Sequence, residues 1–253
     1  MELKSHFDTL APGVEPDGLR NIIVDKMFNH GEVINKYNNS TFFKKKSLIA
    51  NSYPLEDVRW ISLEVPTKKE LIVKAFYPAS VRGIKTEVVI TEITEDNRGY
   101  EANIKAEFLS GFADVNFFDP FYSFNSHLYS TNKPIDFYFS GLAYSMQKSI
   151  PREVEVDGES YRIDGAAIFA EVNDFCDYQF MLTIEELEEI YFDDELIYKI
   201  YGLVINHPDS ETIFGINLYV SAKNIITENY IPQIGDSIEG LFWLQGYHNA
   251  FSG

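Results

Sequence analysis

The chain has 253 residues, a formal net charge of −18, a single cysteine and an aromatic content of 15%, with 20 Phe and 16 Tyr. A hydrophobic fraction of 45% is enough for a core without disulfides or metals, and it excludes a disordered chain. The charge is uneven, +3 over residues 1–85 and −21 over residues 86–253. Such a field repels phosphate backbones and anionic headgroups, so nucleic acid is not the expected partner of the second region.

Taken in chain order, Leu19, Ile22, Ile23, Met27 and Phe28 recur at near-helical spacing after Pro16-Asp17-Gly18 and predict a short amphipathic helix. Asn38 to Thr41 reads as a polar turn before Phe42-Phe43 and the basic triplet Lys44-Lys45-Lys46, a solvated edge. From Val58 the pattern becomes strands: Val58 to Val65, Leu71 to Tyr77, and the β-branched run Glu87 to Thr94. A turn at Glu95 to Gly99 leads into a half-buried strand, with Ala102, Ile104, Ala106 and Phe108 on one face and Glu101, Asn103, Lys105 and Glu107 on the other.

Residues 112–130 hold seven Phe or Tyr in nineteen positions, read as a strand to Phe118, a turn at Asp119-Pro120 and an aromatic loop. Ile135 to Gln147 returns to strand. Asp157-Gly158 between alternating arms predicts a hairpin over residues 153–163, because a two-residue turn of this kind needs positive φ. Strands follow at Ala166 to Val172 and Tyr178 to Leu182. Thr183-Ile184-Glu185-Glu186 matches a capping box and predicts a short helix near 184–192, with Ile184, Leu187, Ile190 and Tyr191 on one face. Tyr198 to Ile205 and Thr212 to Ser221 form a hairpin, and Gly235 to Gly246 is the last strand. No repeat of fixed period is visible.

The resulting expectation is a mainly β (β-rich α+β) chain of antiparallel barrel or sandwich units, with a short N-terminal helix and one short helix near 184–192. Ile150-Pro151 is the candidate joint. Residues 1–52 form a helix and basic segment packed on the next unit, 53–150 an antiparallel β unit, and 151–253 an acidic barrel like the oligonucleotide-binding type. No run of 18 apolar residues and no signal-like segment is found, so a cytoplasmic protein with no membrane span is expected.

Phosphate-cradling, dinucleotide-binding, nucleophile-elbow and metalloprotease motifs are absent, and no cofactor is expected. The histidines His6, His30, His127, His207 and His248 are scattered, not spaced as metal ligands. Cys176 lies between Asp174 and Asp177, whose charges oppose thiolate formation.

The sharpest feature is the run Glu185, Glu186, Glu188, Glu189, Asp193, Asp194 and Glu195, seven carboxylates with no base among them. On a helix these charges would repel at i, i+3 and i+4, which points to a basic partner. The second feature is the aromatic segment with Phe121 and Tyr122, core if buried and interface anchors if exposed. The expected function is a non-enzymatic module docking a basic protein through Glu185, Glu188, Glu189, Asp193, Asp194, Glu195, Phe121 and Tyr122, an inhibitor or immunity-type protein being one form of it. The alternatives are a hydrolase using a carboxylate pair and a barrel that binds an oligonucleotide or another ligand.

Overall fold

The structure, a computed structural model, describes residues 6–12, 16–41, 44–53, 57–97, 99–108, 114–150, 152–156, 159–163, 168–172, 176–192, 194–206 and 213–248. A 3-10 turn (His6–Thr9) precedes helix α1 (Pro16–His30), then β1 (Glu32–Thr41), β2 (Lys44–Tyr53), β3 (Val58–Pro66) and β4 (Leu71–Ser80). Next come β5 (Ile84–Glu95), β6 (Ala102–Phe108), β7 (Asp114–Asp119), the one-turn helix α2 (Tyr122–Asn125) and β8 (Pro134–Lys148). The chain continues through β9 (Arg152–Val156), β10 (Glu159–Ile163), β11 (Ile168–Glu171), β12 (Asp177–Thr183) and β13 (Glu186–Phe192). It closes with β14 (Glu195–Asn206), β15 (Ile213–Ser221) and β16 (Ser237–Tyr247). The β-rich expectation holds, and none of the helices is long and apolar enough to cross a membrane among the described residues.

Strands β1 to β4 form a four-stranded meander, β9 and β10 a separate hairpin, and the other ten strands one sheet in the order β11-β12-β16-β7-β6-β5-β8-β15-β14-β13. Within that sheet β5 pairs with β6 along its second half and with β8 along its first, β6 pairs with β7, and β7 runs parallel to β16 at Phe118 and Gln245. Since β16 also pairs antiparallel with β8 from Ile238↔Lys148 to Tyr247↔Tyr138, these five strands close a ring.

A second circuit repeats the plan. Strand β12 passes through Ile184-Glu185 into β13; β12 pairs with β16 and β13 with β14. Strand β14 then pairs with β15, and β15 runs parallel to β8. Each four-strand unit therefore closes its circuit with the other unit's last strand, and the β8–β16 ladder belongs to both.

Strand pairing runs across the expected divisions of the chain. Strand β8, which ends before residue 150, pairs with β15 and β16 from beyond it. Residues 151–253 do not make a barrel alone, since β8 completes their circuit. At residue 52 the ladder is continuous, with β2 pairing with β3. Asn38 to Thr41, expected as a turn, belongs to β1 and pairs with Lys44 to Ser47.

The expected helix at 184–192 is strand β13. A helix would stack Glu185 beside Glu188 and Glu189, whereas a strand sends successive side chains to opposite faces. The ladder from Glu186↔Tyr201 to Phe192↔Glu195 sets Glu188 directly across from Lys199, and Phe192 is buried. Ile190-Tyr191-Phe192 are good strand formers, and cross-strand pairing outweighs the capping-box signal.

Periodicity explains the layers. Ala102, Ile104, Ala106 and Phe108 of β6 are buried, as alternation predicts. They join Phe117, Phe137, Phe139, Phe180, Ile216, Leu218 and Phe242 in the core inside the circuits. Strands β8 and β16 are buried on both faces: Leu142, Tyr144, Trp243 and Tyr247 point outward into a second core with Trp60, Ile61, Leu63 and Tyr77 of the meander and Ile23 and Met27 of α1. Each such buried aliphatic or aromatic side chain stabilises by roughly 1.5–3 kcal/mol.

The shared ladder leaves no room at Gly240, where a Cβ would sit 2.0 Å from the Ser145 carbonyl oxygen. We expect Gly240→Ala to destabilise the protein by about 2–4 kcal/mol. Gly18→Ala, on the exposed first turn of α1 with nothing within 4 Å, should be neutral or stabilising by up to about 1 kcal/mol. Urea denaturation of the two variants checks both values.

Candidate functional site

The acidic run is an edge hairpin. Glu185, Glu186 and Glu189 are exposed along β13, and Tyr191 among them is 62% exposed. Asp194, at φ 70°, occupies the turn into β14, while Asp193 lies outside the described residues. Asp tolerates this left-handed conformation better than most residues, which suits Asp194 to the turn between β13 and β14.

Two of the predicted carboxylates meet cations of the chain itself. Glu188 accepts from Lys199 Nζ at 3.1 Å, and the same ammonium binds Asp57 at 2.8 Å, tying the hairpin to the residue before β3 of the meander. Burial pulls the Lys199 ammonium down, but its bonds to Asp57 and Glu188 outweigh this and hold it above the usual lysine value. Glu195 accepts from Lys223 at 2.5 Å and from the Ser221 hydroxyl at 3.4 Å.

Phe121 and Tyr122 lie elsewhere and are buried, at 0% and 5% exposure, so they are core and cannot anchor a partner. The Phe121 amide donates to Asp119 Oδ1 at 2.8 Å, and the Tyr122 hydroxyl donates to Glu95. Cys176 is fully buried; burial, then the charges of Glu171 and Asp177, push its thiol well above the usual range, which leaves it without nucleophilic character.

A cleft of about 290 Å³ that the sequence did not disclose lies where the meander and the N-terminal turn meet the first ring. Its walls are Phe7, Phe76, Tyr77, Phe118 and Trp243, and its polar groups are His6, Glu101 and Asn103. The N-terminal turn is placed by Asn224, whose buried amide donates to the carbonyls of Asp8, Thr9 and Ala143 at 3.0–3.1 Å. His6 stacks on Trp243 with ring centroids 4.0 Å apart.

The tautomer of His6 follows from its partners. Tyr144 has one hydroxyl hydrogen, which it donates to Asp177 Oδ1 at 2.7 Å. Toward His6 the phenol oxygen can then only accept, so Nδ1, 2.5 Å away, carries the ring proton and Nε2 is the acceptor. Burial lowers the His6 pKa below 6.5 against the opposing pull of Asp177, which keeps the ring neutral at pH 7.

The floor of this region is electronegative. The Tyr77 hydroxyl donates to the Pro120 carbonyl at 2.5 Å, and its ionisation is opposed by burial and then by the charges of Glu101, Asp119 and Asp96. Among the described residues no group of three or more His, Cys, Asp or Glu side chains is placed to hold a metal ion. Only the aromatic excess in the sequence hinted at the cleft, because its walls come from residues as distant as 6 and 243. Searches against protein-family models, curated proteins and solved structures find no match.

Burial pushes the Asp119 carboxyl from 3.8 to about 7, against the bonds from Tyr129 and Phe121 that favour the charged form. The folded protein thus holds this proton more tightly than the unfolded chain, so its stabilising contribution falls as pH rises from 3.8 to about 7. Asp119→Asn should remove a slope of about 1 kcal/mol per pH unit across that window. Urea midpoints of both proteins at several pH values within that window check this; parallel curves would refute it.

Proposed function

We propose that the protein is a non-enzymatic binding module that docks a basic protein along the acidic edge hairpin β13–β14. One observation carries the reading. Strand β13 ends the ten-stranded sheet and presents exposed Glu186, Glu189 and Tyr191, with Glu185 and Asp194 at its two ends. An edge strand offers backbone groups to an added strand, carboxylates select a basic one, and an exposed tyrosine supplies contact area. Edge charges also keep a sheet from pairing with copies of itself, which fits a surface reserved for a partner of opposite charge. An inhibitor or immunity-type role, with the hairpin covering a basic face of its target, is the specific form this reading favours.

A ligand-binding barrel is the second reading. In the first ring, taking β5, β6, β7, β8 and β16 as strands one to five, the order around the ring is 1-2-3-5-4 with strands three and five parallel. That order supports a barrel of the oligonucleotide-binding type, whose ligands bind over strands two and three. Here Glu101, Asn103 and Phe118 of that face line the cleft beneath the meander, and the carboxylate disfavours a phosphate chain.

The docking reading is tested with Glu186→Gln, Glu189→Gln and Asp194→Asn combined. Tagged wild type should retain a basic protein from its source lysate at about 0.05 M salt and release it at about 0.5 M. The triple variant should associate about tenfold more slowly with that protein at the same melting temperature. Unchanged association by the variant would remove the hairpin from the interface.

A further inference from the structure

We propose that the cleft between the N-terminal turn, β4, β6, β7 and β16 is a binding site for a small organic cation, an amine with an apolar body. The polar and apolar parts of the site agree on this chemistry. Its walls are the rings of Phe7, Phe76, Tyr77, Phe118 and Trp243, whose faces attract a cation and whose area accommodates an apolar body. Its polar groups are a carboxylate, Glu101, an amide, Asn103, and the imidazole His6.

The His6–Tyr144–Asp177 chain is what gives the imidazole a defined role. Asp177 accepts a hydrogen bond from the Tyr144 hydroxyl, whose oxygen accepts from His6 Nδ1–H, and the ring is left with Nε2 as an acceptor. An ammonium has several N–H donors and no acceptor, so it is matched by a neutral imidazole nitrogen, a carboxylate and an amide oxygen. An anion meets the opposite: the Glu101 charge, the neighbouring charges of Asp96 and Asp119 that already oppose Tyr77 ionisation, and a chain charge of −18. At about 290 Å³ the volume sits at the lower end of small-molecule sites and suits a compact ligand.

The site is independent of the β13 hairpin, and its test leaves that hairpin untouched. The full chain is titrated calorimetrically at low salt and pH 7.5 with benzylammonium and with benzyl alcohol, which share one body and differ in charge. Benzylammonium should bind about tenfold more tightly or better, with the advantage shrinking as salt is raised. Glu101→Gln, on a half-buried side chain just before β6, should cost benzylammonium about tenfold and leave benzyl alcohol unchanged. Equal affinity for the two probes in the wild type would mark the cleft as an apolar slot and overturn the proposal. So would binding of neither probe, or a Glu101→Gln variant that keeps the full preference.

Discussion

The antiparallel ladder between β8 and β16 is the constraint on which the rest of the molecule depends. It spans ten paired positions, supplies two strands to each circuit, and has a core on either side. A strand buried on both faces loses the option of polar alternation, which is why Phe137 to Tyr144 and Leu241 to Leu244 read as nearly continuous apolar runs. A polar side chain admitted there gains by being hydrogen-bonded, although the buried Ser140 hydroxyl on β8 has no partner among the described residues. Gln245 shows the solution: buried completely, it accepts from the Ser80 amide at 3.0 Å and donates to the Pro78 carbonyl at 2.9 Å, locking the ladder to the end of the meander.

The same constraint decides where charge can go. With both faces of the central strands covered, the carboxylates of the second region are driven to strand edges and turns, and the β13 hairpin concentrates them. Where the hairpin touches the rest of the protein, its charge is compensated by Lys199 between Glu188 and Asp57; where it does not, Glu186 and Glu189 face water. The Glu188 arm of this network is exposed and contributes little stability, while the part-buried Lys199–Asp57 pair fixes the orientation of the hairpin.

The cleft lies between the meander and the first ring. The two surfaces touch along Trp60, Leu142, Tyr144 and Trp243 and diverge toward the start of β6, and the N-terminal turn partly fills the gap. Asn224 holds that turn by the carbonyls of Asp8 and Thr9 and ties it to β8 through that of Ala143, so a residue distant in the chain sets the position of His6. Burial and hydrogen bonding then give His6 a single tautomer, a property no stretch of sequence carries by itself.

Local pattern by itself determined the strands with clean alternation or β-branched runs, such as β3, β5, β6 and β8, the helix α1, the turn before Tyr100, and the burial of alternate residues in β6. It did so because period-two hydrophobicity and turn chemistry are properties of neighbouring residues. The 184–192 segment failed the same reading because its apolar residues follow the helical period, and only pairing with β14 makes it a strand. Tertiary structure alone decided the exchange of last strands between the two circuits, the pairing of β8 with strands beyond residue 150, and the burial of Phe121 and Tyr122. It alone also brought His6, Tyr144, Asp177 and Trp243 together. Each of these rests on contacts between residues far apart in the chain, where the closure entropy is overcome by burying two faces of one ladder at once, and that gain has no signature in any short window of sequence.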